Sequence, residues 1–299
     1  MLLRLLLGLS LGTALLAQRV AISLDDAPAN VPTPKWTASE RNERLLAILK
    51  RHHVRVATFA NGIDGGDTPE GRRLLARWGE EGHRVGNHTY SHLNLQKVSL
   101  ERFTQDFLKE DDLIKGMPGY VPWLRFPYLK EGDTPEKRDG MRKVLKDHGY
   151  RNAAVTISTF DWLIDEHLRS ALKRKPDTNL EPYRTYYLQH LATLFRHYRN
   201  LGKEVTGREV AHVVLLHSNL LNALFMDDVL AMLEKNGWTV ISPEEAYADP
   251  IYGEEPRTLA TGESLLWALA KDKGIEPGSL QSISAYYTQE QAMLEELGL

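Results

Sequence analysis

A chain of 299 residues, 42% hydrophobic and 26% charged, has the composition of a folded globular protein, and its length fits one α/β barrel of roughly 250 residues with additions. A formal charge of −3 leaves no basic excess for nucleic acid or an anionic membrane surface. With no cysteine, the sequence excludes disulfides, thiolate zinc sites, cysteine catalysis and a lipidated N-terminal Cys.

Residues 1–17 have a short basic start ending at Arg4, then a mostly apolar run to Leu16, the pattern of a secretory signal. That run is shorter than the roughly 20 residues needed to cross a bilayer. The expectation is a periplasmic or secreted protein with no membrane span once the signal is removed. Cleavage after Ala14 or after Ala17 fits the pattern.

Next comes Val20-Ala21-Ile22, a short apolar run read as a buried strand, which ends in Ser23-Leu24-Asp25-Asp26 before Ala27-Pro28. Two adjacent carboxylates at the end of a buried strand repel unless a cation lies between them or one stays protonated. A divalent metal held by one, with the other free as a base, resolves the conflict. Ser39 is a candidate cap for a helix over residues 39–53, with Leu45, Leu46, Ile48 and Leu49 inside. Strands are expected at 54–60, 84–87, 123–126, 153–157, 213–216 and 239–241. Helices are expected at about 68–82, 99–115, 134–149, 165–203 with a break near Lys175-Pro176, and 220–236. Strand and helix alternating about seven times argue a distorted parallel (β/α)7 barrel over residues 18–248. Residues 249–299 read as a helical extension packed on it, with helices at about 262–273 and 288–297. There is no repeat or low-complexity segment.

In such a barrel the chemistry sits at the carboxyl ends of the strands. Five of the seven expected strands carry polar residues of catalytic type there: Asp25 and Asp26; Asn87-His88-Thr89-Tyr90-Ser91-His92; Arg125-Phe126-Pro127-Tyr128; Ser158-Thr159-Phe160-Asp161-Trp162; and His217-Ser218-Asn219. Four-residue spacing would put His88 and His92 on one side of a helical turn. With Asp26 they make two imidazoles and a carboxylate, a set that leaves metal positions open. His52, His53, His83, His148, His167, His190, His197 and His212 have no such context and are read as surface residues.

Taken in order over residues 19–245, these motifs resemble the polysaccharide deacetylase family (carbohydrate esterase family four, the NodB-homology domain). Its opening Thr/Ser-Phe-Asp-Asp reads Ser23-Leu24-Asp25-Asp26 here, its His-Ser/Thr-x-x-His reads His88 to His92, and its Arg-x-Pro-Tyr reads Arg125 to Tyr128. Its Leu-x-Leu-His reads Val214-Leu215-Leu216-His217. Its Asp-x-x-Asp-Trp reads Ser158 to Trp162, so the first Asp is missing. The resemblance implies a metal-dependent hydrolase that removes N-acetyl groups from a polysaccharide or oligosaccharide, peptidoglycan or chitin-type chains first. No protein partner is implied. Asp26, His88 and His92 would hold a divalent ion, with zinc expected. Asp25 would be the general base, His217 the general acid, and Arg125 the partner that keeps Asp25 ionised and oriented. Tyr128 would donate its backbone N–H to the oxyanion, and Trp162 and Leu215 would wall the acetyl pocket. In the family the first Asp of the fourth motif lies close to the catalytic His. With Ser158 there, Asp161 is the first candidate to support His217 and Asp165 the second. The rival readings are an O-acetyl glycan esterase on the same fold, a carbohydrate-binding pseudoenzyme, and a metal-free amidase of the same fold. Both metal-site histidines weigh against the last.

Overall fold

The structure, a computed structural model, describes residues 18–259, 262–277 and 283–299, with no account of the side chains of 283–286. The expected signal segment at residues 1–17 therefore lies outside the described residues. The elements in chain order are β1 (Gln18–Ala27), α1 (Ala38–Arg51), β2 (Ala57–Ala60), α2 (Pro69–Glu80), β3 (Arg84–Asn87), α3 (Leu100–Ile114), β4 (Tyr120–Leu124), α4 (Pro135–Asp147) and β5 (Arg151–Asn152). There follow α5 (Asp161–Arg174), α6 (Glu181–Thr206), β6 (Ala211–His217), α7 (Leu220–Lys235), β7 (Trp238–Val240), α8 (Pro243–Tyr247), α9 (Leu265–Asp272) and α10 (Ile283–Glu296).

All strand pairs are parallel, in the order β5-β4-β3-β2-β1-β6, with β7 also on β1. The distorted parallel barrel expected from the sequence is the observed fold. Its distortion lies at two places. β1 is the hub: it pairs with β7 at Gln18–Val20, with β6 from Arg19 to Asp25, and with β2 from Ser23 to Ala27. The other place is the expected strand at 153–157. Only Arg151–Asn152 pairs with β4, and Ile157 then bridges to Val214 of β6. One stretch thus passes from β4 to β6 and closes the ring, too bent to form a continuous ladder.

The buried faces explain why these segments become these elements. Val20, Ala21, Ile22 and Leu24 of β1 are fully buried, as a strand covered on both sides must be. Most helices open on a side-chain cap, as Thr68, Ser99, Thr134, Asn219 and Ser242 show. For α1 the cap is Thr37 rather than Ser39. Thr37 and Glu40 form a reciprocal capping box, which outcompetes a lone serine two residues later. The break expected near Lys175-Pro176 is present, between Arg174 and Glu181, while the first of the two helices starts at Asp161 rather than near residue 165. Beyond residue 249, α9 places Leu265, Leu266, Leu269 and Ala270 in the main core, and Leu294 of α10 is fully buried.

Candidate active site

At the carboxyl end of β1 the two aspartates separate. Asp25 is 2% exposed and its Oδ1 accepts Arg125 Nη1–H at 2.7 Å. Asp26 turns to a left-handed φ of 61°, a conformation Asp tolerates better than most residues. That turn carries its carboxylate away from Arg125, so Oδ1 lies 3.6 Å from the Nε2 atoms of both His88 and His92. Asp25 Oδ2 also stands 3.7 Å from His88 Nε2, so the two carboxylates share that imidazole, while only Asp25 bonds Arg125 and only Asp26 faces His92.

His88 and His92 do not share a helical turn. They flank a non-helical bend with left-handed φ at Thr89 (58°) and His92 (51°). Asn87 Oδ1 accepts Thr89 N–H, Asp106 Oδ2 accepts Ser91 N–H, and Thr89 Oγ1 accepts Leu93 N–H, which together hold the bend. The rings still meet, with centroids 4.8 Å apart. His88 Nδ1 pairs with the Arg125 carbonyl at 2.7 Å, so that nitrogen carries the hydrogen and Nε2 is left as a donor atom for a metal. Burial pushes the pKa of His88 far below its ordinary value and also lowers that of His92. Both imidazoles are therefore neutral, as metal ligands must be.

One donor atom each from Asp26, His88 and His92 lies within 4.8 Å of the others. In a tetrahedral centre with bonds of about 2.0–2.1 Å, donor atoms stand about 3.4 Å apart, close to the 3.6 Å that separates the Asp26 oxygen from each imidazole nitrogen. One carboxylate with two neutral imidazoles suits zinc and similar divalent ions, and leaves positions for water and substrate. The residues present fit such an ion.

Arg125 is fully buried and uses its whole guanidinium. Nε donates to Ala153 O, Nη1 to Asp25, and Nη2 to Ser23 Oγ and Tyr247 Oη, with the plane 4.4 Å over the Phe59 ring. Burial raises the pKa of Asp25, and the opposing pull of Arg125 does not cancel it. A carboxylate raised above its ordinary range is a stronger base near neutral pH.

His217, at the end of β6, faces the same space, with Nε2 4.0 Å from Asp26 Oδ2. Its Nδ1 lies 2.7 Å from Oδ1 of Asp161, whose Oδ2 accepts the His217 backbone N–H. Asp161 is fully buried and also accepts from Thr159, Asn219 and Asn222. Burial disfavours the His217 imidazolium, but the charge and hydrogen bond of Asp161, with help from Asp26 and Asp25, prevail and raise its pKa to about 10. Asp165 is not at His217. It accepts Leu221 N–H and pairs with Arg169. Ser158 bonds to the Tyr198 hydroxyl.

A cavity of about 210 Å³ opens beside these groups, lined among others by Asp26, Asp64, Trp162, Arg169 and His217. Trp162 contributes to its wall, whereas Leu215 is buried and does not. The Tyr128 ring is 54% exposed and packs 4.5 Å from the His92 ring, on a backbone with φ of 58°. Sequence reasoning missed the supporting residues: Ser23, Asn61 (which donates to Asp26 Oδ1), Asn222 and Tyr247. Tyr247 lies 122 positions from Arg125, and only the Ser/Thr of the first motif carried a signal. Nor are all the remaining histidines on the surface: His83, His190 and His212 are buried.

Two carboxylates and three histidines at the carboxyl end of a distorted parallel barrel make the kind of donor set that a metal-dependent hydrolase uses. Residues 14–153 match the sequence model of the family described as polysaccharide deacetylase. The chain carries that match over 140 of its 299 residues, just under half its length. It is 31% identical over 144 residues to a peptidoglycan-N-acetylglucosamine deacetylase of Bacillus cereus, covering 48% of this chain and 46% of that protein. It is 28% identical over 145 residues to a chitin deacetylase of Arthroderma benhamiae, covering 48% of this chain and 35% of that protein. The chain thus spans less than half the length of either relative. Among solved structures, a CE4 family pseudoenzyme from Bacillus anthracis superposes with a TM-score of 0.54 at 20% identity, covering 77% of this chain and 65% of that one, which is a likeness of fold.

Proposed function

We propose that the protein is a metal-dependent deacetylase, exported from the cytoplasm, that hydrolyses N-acetyl groups on peptidoglycan or chitin-type amino-sugar chains. The observation that carries this reading is the division of the adjacent carboxylates: Asp25 is anchored on Arg125, and Asp26 alone faces both His88 and His92. The match to the polysaccharide deacetylase model and the two named relatives support the substrate class.

Asp26, His88 and His92 would hold the divalent ion, zinc by preference. When bound, that ion polarises the acetamide carbonyl and acidifies water. Asp25 takes the proton from the attacking water, and Arg125 fixes the carboxylate that receives it. The Tyr128 backbone N–H donates to the oxygen that becomes negative as the carbonyl carbon turns tetrahedral. His217 Nε2 then gives its proton to the sugar nitrogen as the C–N bond breaks, because an amide anion is too poor a leaving group. Acetate and a free amine result. Asp161 holds His217 in the protonated form this step requires. Trp162 walls the cavity where the acetyl group sits.

The test is acetate release from peptidoglycan, chitin oligomers and acetylated xylan. The expected result is release from an N-acetylated glycan. Release from xylan alone would make the protein an O-acetyl esterase, and binding without release a pseudoenzyme.

A further inference from the structure

The described residues include seven large hydrophobic side chains that are exposed: Val31, Ile63, Tyr128, Trp162, Tyr287, Met293 and Leu297. Scattered singly, such residues need no explanation. Five of these are not scattered. Val31 and Trp162 line the catalytic cavity, Ile63 precedes the cavity residue Asp64, and Tyr128 packs on His92. Tyr287 stands against Trp162 with the rings parallel to within 7° and their centroids 5.8 Å apart, each more than a third exposed.

Tyr287 comes from α10, well outside the region matched by the family. It is not on a loose end. One turn further along α10, Glu290 is buried, meets His190 Nδ1 at 2.8 Å and accepts the Tyr186 hydroxyl at 2.7 Å. That contact fixes the tautomer of His190, whose Nε2 accepts the Phe160 backbone N–H at 3.2 Å, one residue before Asp161. Leu294 is fully buried, and the Leu299 carbonyl meets His167 of α5. The helix that presents Tyr287 is thus tied to the start of the helix that presents Asp161 and Trp162.

We propose that Tyr287, stacked on the cavity-wall residue Trp162, extends that wall into an aromatic platform for the pyranose ring next to the one that carries the reacting acetamide, so that α10 is part of the substrate cleft. The inference rests on the deacetylase reading and adds a subsite to it. Pyranose rings present faces of C–H bonds that pack on aromatic faces, and two parallel, pre-ordered rings offer such a surface at little cost in side-chain freedom.

The experiment uses the full chain with N-acetylglucosamine and its oligomers of up to six units, reading both acetate release and binding by calorimetry. In Tyr287→Ala, kcat/KM and affinity should fall about tenfold on the hexamer and under twofold on the single sugar, the size expected for losing one good aromatic contact. Tyr287→Leu keeps an apolar contact with Trp162 but has no ring face, and should lose as Ala does. Tyr287→Phe should keep the length dependence of the wild type. An equal loss at all lengths, no loss, a Leu variant that behaves as wild type, or a wild type that does not bind the hexamer overturns the platform. If the wild type releases no acetate but binds the hexamer through Tyr287, the deacetylase reading falls and the platform stands.

Discussion

Before residue 130 the polar groups of the site are aimed by backbone bends as well as hydrogen bonds; beyond β5 they are aimed by hydrogen bonds alone. All seven non-glycine residues with positive φ among the described residues come before residue 130, and six of them, Asp26, Ala29, Thr89, His92, Tyr128 and Leu129, lie at the catalytic end. Such conformations cost of order 1–3 kcal/mol each and persist only where the surrounding fold enforces them. In the second half, His217 and Asp161 sit in relaxed backbone, within a network that satisfies Asp161 with five hydrogen bonds from four residues. The metal-facing half is held by the barrel, and the acid half by its own polar contacts. The two halves should therefore fail differently.

The largest effect should come from the acid. His217→Ala should lower kcat by about 10²–10⁴-fold while metal content stays at the wild-type level, because all three proposed ligands belong to the first half; parallel kinetics and elemental analysis check this. Second, Arg125→Met removes the guanidinium bonded to the buried Asp25 carboxylate. It should cost about 3–5 kcal/mol of stability in a urea titration, less than that where Asp25 is protonated at low pH.

Third, Asp161→Asn should lower the pKa of His217 from about 10. The basic limb of the kcat/KM profile should then move to lower pH by roughly one unit or more. The sign for stability follows. A histidine whose folded pKa is raised stabilises the fold fully below its ordinary value of about 6.5, and this is lost as pH rises towards 10. The Asn variant should lose most relative to wild type below pH 6.5, and the gap should close at alkaline pH. Ser158→Asp should leave the limb in place, because Ser158 faces Tyr198. Smallest is a control away from the site. His53, exposed just past the end of α1, has φ of 55°, where glycine is favoured. His53→Gly should add up to about 1 kcal/mol of stability with unchanged kinetics.

The barrel was legible because its strands are short, buried and alternate with capped helices, and the reacting groups because they close those strands. What was not legible depends on backbone bends or on distant parts of the chain. The spacing of His88 and His92 reads as a helical turn, yet left-handed residues set it. The strand at 153–157 has the apolar composition of a continuous strand, but it must leave β4 for β6. Burial of His83, His190 and His212 rests on partners such as Val56 N–H, Glu290 and Thr156, which no local pattern announces. Tyr247 and Tyr287 reach the site region from segments that carry no motif.

The central claim is that neighbouring carboxylates do different work, Asp25 moving a proton and Asp26 holding the ion. Metal content and acetate release, measured together on Asp25→Asn, test it most directly. The account predicts about one divalent ion per chain, as in the wild type, with acetate release lowered by about 10²–10⁴-fold. An Asp25→Asn protein that has lost its metal yet still releases acetate when the ion is resupplied would contradict it.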